Sequence, residues 1–398
     1  MNKSLLHARP LGLHVASRRS GRRFINASAL TITKSKSNDN TTMPPKETLE
    51  FGKTFAPHML TISYSNNKWS NPEIKPLENA SIPLASSCLN YGMTCFEGMK
   101  AYRTLDGESS SSSSSALRLF RPDLNMQRLS NSMERISLPG HDFSHDELIQ
   151  CISKLITLDQ EFVPYGEGYS LYLRPNVIAI NENLGLAIPD SILLYVMTSP
   201  VGPCYASGFK PIRLLCETNY VRACRGGTGD SKVGGNYAGA MKPSRLAAEK
   251  GYSQVLWLWD GEITEVGAMN VFFVFENKED GQKEIVTPPL SRGDILPGVT
   301  RRSIIELANG NGWEDYDMVE RNLTMKEVAS AVKAGTLVEA FGAGTAAVVT
   351  PIECINYNGE DLEITATGEV TQRAWDELMD IQYGKIEHPW SYKIDESI

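Results

Sequence analysis

The residue best placed to do chemistry is Lys232, set within Arg225 to Ala240 (RGGTGDSKVGGNYAGA). Glycines at 226, 227, 229, 234 and 235 give this stretch backbone freedom to turn sharply beside a bulky ligand. A lysine among small residues, with predicted β segments before (PIRLLCETNYVRA) and after (VLWLW), can sit in a partly desolvated cleft. There its amine loses part of its charge and becomes a nucleophile for an aldehyde. A glycine-rich surface loop with a solvated lysine explains the same motif equally well. A phosphate-binding P-loop fits worse, because Ser231 precedes the lysine and Val233 follows it, where GK[ST] is required. A second stretch, Glu262 to Phe275 (EITEVGAMNVFFVF), places Glu265 at a strand end before a small-residue turn, where a carboxylate can reach a ring nitrogen.

The rest of the chain must position these groups. Its 398 residues are enough for two ordinary domains, and 41% apolar with 22% charged residues is the composition of a soluble globular protein. A net charge of -8 and the lack of a basic stripe in the body argue against nucleic-acid binding. No apolar run reaches the ~20 residues of a membrane span. The seven cysteines are scattered without a CxxC pair, and the six histidines form no HExxH, so neither a disulfide framework nor a metal site is expected.

Residues 1–42 read as a mitochondrial transit peptide and disordered leader. Arg9, Arg18, Arg19, Arg22 and Arg23 lie in a stretch with no acid before Asp39, which is the composition of such a leader. Cleavage is expected near Arg22-Arg23-Phe24, and Met43 offers an internal start for a cytosolic form. A small first domain is expected over 43–198, a linker with Pro and Gly punctuation over 199–208, and a large second domain over 209–398. Strands are expected over Phe51 to Tyr64, Tyr91 to Tyr102, Leu117 to Arg121, Ser170 to Arg174 and Ile192 to Thr198. The serine tract Ser109 to Ser115 has nothing to bury and reads as a mobile hairpin tip. Helices are expected over Leu129 to Ile136, His145 to Leu158 and Thr371 to Tyr383. Another opens at Tyr237, with Pro243 expected to interrupt or kink it. Gly298, Val299 and Thr300 open an amphipathic helix whose unpaired N–H groups suit an anion.

Six motifs in order, FEGMKAYR, LYLRP, GGTGDSKVGGNYA, ITEVGAMN, ILPGVTRRS and FGAGTAAVVTP, closely resemble the eukaryotic branched-chain amino-acid aminotransferases. The resemblance covers Phe51 to about Gly384. It implies fold type IV, two mixed α/β domains joined by a loop, pyridoxal 5'-phosphate as cofactor and a homodimer. The implied reaction moves the amino group between Leu, Ile or Val and 2-oxoglutarate, the cofactor alternating between pyridoxal and pyridoxamine forms. By this resemblance Lys232 carries the cofactor and moves the proton, Glu265 pairs with its ring nitrogen and Tyr237 with its phenolic oxygen. Arg128, Val299, Thr300 and Thr345 take the phosphate. Phe51, Phe96, Tyr172 and, from the partner subunit, Tyr91 wall an apolar pocket. Arg174 binds the distal carboxylate of 2-oxoglutarate, and the Thr345–Ala346 turn binds the α-carboxylate.

Three positions depart from the family pattern. Ala268 stands where Thr is usual, Cys204 where Tyr is usual, and Ala347 with Thr350 replace the CxxC of mammalian members. A D-amino-acid aminotransferase or aminodeoxychorismate lyase shares the lysine and glutamate but lacks the combined motif set. A cofactor-free binding protein on the same scaffold is the alternative from another class.

Overall fold

The computed structural model of the chain describes residues 24–35, 42–105, 115–203, 210–310, 312–364 and 368–395. Its strands form two sheets of 10 and 9 members, which matches the expected pair of mixed α/β domains. At the centre of the first sheet, Ser170–Ala179 and Ile192–Val201 pair antiparallel along their whole length, from Ser170↔Val201 to Ala179↔Ile192. Both strands are rich in β-branched and apolar residues, which pack well on a pleated, buried surface. Their side chains alternate between faces, so Tyr172 and Arg174 point the same way. The helices Pro122–Arg135 and His145–Leu158 cover this sheet and bury Met126, Leu129, Leu148 and Ile152 in its core.

The second sheet positions the lysine. Ile212–Glu217 and Gln254–Trp259 run parallel, so the chain between them must cross over. That crossover holds the glycine-rich loop and two short helices, Gly235–Ala238 and Met241–Glu249. Pro243 falls in the first turn of the second helix, where a missing N–H costs nothing, so the break precedes it and no kink forms. Glu262–Val266 then pairs antiparallel with Gln254–Trp259 and carries Glu265 at its end.

Several elements lie elsewhere than the sequence reading placed them. The first long strand is His58–Ser65, because Phe51 sits in a turn ahead of Pro57. Tyr91 ends a helix, Ser87–Tyr91, stopped by Gly92 at φ +64, so the strands begin only at Thr94–Phe96 and Met99–Arg103. The arginine helix starts already at Pro122, which suits a first helical position. The strand expected to stop at Thr198 continues to Val201, so Ser199 to Val201 belong to the sheet rather than to the linker. Residues 204–208 of that linker, with Cys204, lie outside the described residues, as do Ser109 to Ser114 and residues 1–23.

Both ends of the chain also overrun the expected domain limits. Ile25 is 1% exposed in the first core, and Thr31–Ile32 adds an edge strand parallel to Glu73–Pro76. The Ala27 N–H donates to Glu147 Oε2 at 2.5 Å, and the Ser35 N–H donates to His58 Nε2 at 2.9 Å. Residues 24–35 are therefore body and not disposable leader. At the other end, Ser391–Lys393 returns to the first sheet and pairs antiparallel with Leu117–Phe120. One apolar cluster joins the domains, because Tyr102 and Phe120 of the first sheet pack with Phe272, Phe341 and Trp313 of the second half.

Truncating the buried Ile25 removes contacts that no neighbour can replace. Ile25→Ala is expected to cost about 2–5 kcal/mol in chemical denaturation, and a chain beginning at Met43 should melt lower still. Unchanged denaturation midpoints for both would show that residues 24–35 do not support the fold.

Candidate active site

Lys232 is partly buried, and its peptide is gripped on both sides. The Ser132 hydroxyl accepts its N–H at 2.9 Å, while its carbonyl accepts the Phe96 N–H at 3.0 Å. The amine donates to the Tyr237 hydroxyl at 3.4 Å and lies 4.8 Å from the centre of the Phe96 ring. Its pKa is lowered to about 8, first by burial and then by Arg128 and Arg174, against the opposite pull of Glu97 and Glu265. A lysine in this state is neutral for a useful fraction of the time near pH 8 and can act as nucleophile or base. Burial, with Glu265 nearby, pushes the Tyr237 hydroxyl up to about 12, so it stays a protonated hydrogen-bond partner.

Glu265 and Tyr237 line one cavity of about 140 Å³ together with Arg222, Asn236, Trp257 and Leu296. Glu265 is 2% exposed and faces Arg222 Nε at 2.5 Å, while its other oxygen accepts the Leu296 N–H at 2.9 Å and Asn270 Nδ2 at 3.2 Å. Burial raises its pKa, and the Arg222 charge opposes the rise. Asn270 also donates to the Leu296 carbonyl at 2.9 Å, tying this carboxylate to the loop that leads into helix Val299–Ala308. A side chain at Gly298 would meet Asn270 Oδ1 at 2.0 Å, so only glycine fits there.

The opposite end of the site suits an anion. Helix Val299–Ala308 begins at Gly298 with no side-chain cap, which leaves its first N–H groups for another acceptor. Val299 and Thr300 line a small cavity with Gly98, Asn125 and Thr345. Arg128 stands beside this helix start, donating Nη1 to the Pro297 carbonyl at 3.0 Å and forking onto Glu97 at 2.7 and 2.8 Å. Burial works against the Arg128 charge, but Glu97 raises its pKa overall. The Thr345 hydroxyl donates to the Gly98 carbonyl at 3.4 Å, and Lys100 Nζ donates to the Ala346 carbonyl at 2.7 Å. The turn ends at Val348 with φ +57, a strained value for a β-branched residue that burial of its side chain offsets.

On a third side, Arg174 lies 4.8 Å from the Phe96 ring and 5.3 Å from the Tyr172 ring, and donates to the Tyr172 hydroxyl at 3.2 Å. Its buried Nε has no hydrogen-bond partner among the described residues. Phe51 packs edge-on against Tyr172 at 4.8 Å, and Phe96 meets Tyr237 at 5.0 Å. The structure thus brings together Lys232, Tyr237, Glu265, Arg128, Phe96, Tyr172, Arg174 and Phe51. It does not bring Tyr91, which is 44% exposed and donates to the Leu184 carbonyl at 2.5 Å.

Sequence reasoning missed Glu97, Arg222 and Asn270, the groups that hold Arg128 and Glu265 in place. The signals were available, since Glu97 follows a candidate pocket aromatic and Asn270 closes the ITEVGAMN motif. Nothing local marked Arg222 as the partner of a carboxylate on another strand.

The model of the family "Amino-transferase class IV" matches residues 94–355. The chain is 45% identical to the branched-chain-amino-acid aminotransferase of Dictyostelium discoideum, over 94% of this chain and 96% of that one. It is 46% identical to the mitochondrial branched-chain-amino-acid aminotransferase of Saccharomyces cerevisiae, with 92% and 93% covered. In structure it resembles the branched-chain amino acid aminotransferase of Thermobaculum terrenum in its PLP-bound holo-form, at a TM-score of 0.67 and 22% identity, covering 86% of this chain and 99% of that one.

A buried amine whose pKa falls from 10.5 to about 8 destabilises the cofactor-free fold wherever the unfolded chain holds the proton more tightly. The penalty is complete below pH 8 and vanishes as pH rises towards 10.5. Lys232→Met should therefore stabilise the cofactor-free protein at pH 7 by up to about 3 kcal/mol. In denaturant titrations the gain should shrink steadily above pH 8; a gain independent of pH would place the amine in water.

Proposed function

Because the chain belongs to the class IV aminotransferases, and among them to the branched-chain-amino-acid aminotransferases, we propose that it exchanges the amino group between Leu, Ile or Val and 2-oxoglutarate in two alternating half-reactions. Its cofactor is pyridoxal 5'-phosphate, which supplies the electron sink that lets an amino-acid Cα–H bond ionise. The observation that carries the choice of substrates is Arg174. A half-buried guanidinium whose buried Nε has no partner among the described residues, set against Phe96 and Tyr172, offers both an apolar wall and a partner for a carboxylate.

The chain's own groups divide the work by position. Lys232 would carry the cofactor and, once its amine is free, would move the proton between the substrate Cα and the cofactor's C4', a task suited to its lowered pKa. Glu265, fixed by Arg222, Asn270 and the Leu296 amide, would face the ring nitrogen, and Tyr237 the phenolic oxygen. Arg128, the Val299 and Thr300 amides and Thr345 would bind the phosphate. The uncapped helix start and the buried, forked arginine support that assignment. Phe51, Phe96 and Tyr172 would exclude water around a branched side chain, and the Thr345–Ala346 turn would hold the α-carboxylate.

A second copy of the chain completes this reading. Leu84, Leu89, Tyr91, Leu184 and Leu186 are all exposed, and Tyr91 is bonded to the Leu184 carbonyl, so apolar groups gather on one face. We infer that this face meets a partner subunit and that Tyr91 serves the partner's pocket. Localisation in the mitochondrial matrix is supported by the arginine-rich, acid-free start of the chain. A cytosolic form starting at Met43 would lack the edge strand and Ile25.

Two measurements test the proposal. Arg174→Gln should leave the leucine half-reaction within a few-fold of wild type. It should raise the 2-oxoglutarate requirement by about 10- to 150-fold, the worth of a hydrogen bond to a charged group. Equal damage to both half-reactions in single-turnover kinetics would make Arg174 structural. For the dimer, Leu186→Asp should shift the protein towards monomer in sedimentation, and an unmoved profile would place the interface elsewhere.

A further inference from the structure

The grip on Lys232 comes largely from outside its own loop. Inside the loop, Asn236 Nδ2 donates to the carbonyls of Thr228 (2.7 Å) and Ser231 (2.9 Å), and the Thr228 hydroxyl donates to Asn236 Oδ1 at 2.6 Å. These bonds tie 228 to 236 into one unit, so what fixes the lysine is whatever fixes that unit. Strand Thr94–Phe96 does so through its backbone, bonding the Lys232 carbonyl at 3.0 Å and the Gly234 N–H at 2.9 Å, and helix Pro122–Arg135 of the first domain adds side chains to the loop and its flanks along a single face. Arg128, Ser132 and Arg135 are spaced four and three residues apart and share that face. Arg128 bonds the Pro297 carbonyl, Ser132 Oγ accepts the Lys232 N–H, and Arg135 Nη2 donates to the carbonyls of Gly226 (3.2 Å) and Gly227 (2.8 Å).

Of these contacts only one touches the lysine's own peptide through a side chain. Arg135 is exposed, and a surface arginine exchanges its partners for water at little cost. Ser132 is fully buried, so removing its hydroxyl leaves the Lys232 N–H without a partner where water does not reach it. We propose that Ser132 is a positioning residue for the amino-transfer chemistry, its hydroxyl setting how far the Lys232 amine reaches into the pocket. This rests on the reading of Lys232 as the cofactor-bearing amine.

Depth matters because the groups facing the amine are anchored independently. Arg128 on the helix is held by Glu97, Glu265 at its strand end by Arg222, and Arg174 lies against Tyr172; Tyr237 follows in the loop's own helix. If the loop unit withdraws, the amine gains water and leaves two guanidinium charges, and these changes outweigh the loss of Glu97 and Glu265 because burial is the largest influence on it, so its protonated form is favoured.

The test compares Ser132→Ala and Ser132→Cys with wild type as holoenzymes. Cysteine nearly preserves the shape but is a weak acceptor. The pH midpoint of the visible absorbance of the lysine-bound cofactor is expected to rise in the order Ser, Cys, Ala. The Ala variant should shift by at least about 0.5 unit, a roughly threefold change in the protonation equilibrium. Turnover with leucine should fall about 10-fold at pH 8, with KM for leucine within about twofold of wild type. If the Ala variant does not fold, an intermediate shift in the Cys variant still supports the proposal. An unchanged midpoint and turnover in the variants, whatever happens to their melting temperatures, would overturn it. Wild-type protein that showed no such absorbance and no leucine-dependent turnover would instead refute the reading of Lys232 on which it rests.

Discussion

The site depends on keeping an uncompensated amine in a place where its charge is unwelcome. Two other buried cations in its surroundings have been neutralised, Arg128 by Glu97 and Arg222 by Glu265. Each pair is costly to desolvate, and each repays that cost with a fork or a second hydrogen bond from the backbone or an amide. Lys232 has no carboxylate partner of its own among the described residues. Its burial and the two guanidiniums therefore decide its pKa, and the paired acids only moderate the effect. That imbalance converts a surface-type side chain into a base usable near neutral pH.

Holding such a group requires restraint from several directions, and the two-domain arrangement supplies it. The second sheet delivers the lysine loop as a crossover, while the first sheet supplies the strand Thr94–Phe96 and the helix Pro122–Arg135 that hold it in place. Because Tyr102 and Phe120 share a core with Phe272 and Phe341, the two halves cannot slide without opening apolar surface to water. Asn270 adds a shorter link, connecting the Glu265 carboxylate to the lead-in of the helix whose start suits an anion. One amide thereby ties the carboxylate to the start of that helix.

The groups that gather around Lys232 were more legible in the sequence than the joints that support them. Lys232 and Glu265 sit in motifs whose local composition marks them, Tyr237 was named by the resemblance, and helix His145–Leu158 was expected with the bounds it has. Edge strands such as Thr31–Ile32 and Ser391–Lys393 are too short for any period to emerge, and their identity comes from the strands they join. Tyr91 was expected to open a strand, yet Gly92 ends a helix there. Arg222 was invisible for a different reason: it acts through a carboxylate on another element, and a single sequence holds no record of which charges meet.

The return of the last strand to the first sheet has a consequence for how the chain is made. Synthesis runs from the N-terminus, so the Leu117–Phe120 edge waits unpaired until residues Ser391–Lys393 leave the ribosome. Until then the nascent chain presents an open sheet edge, a template for strand exchange with its neighbours. Its first sheet is therefore complete only after the whole of the second sheet has been synthesised.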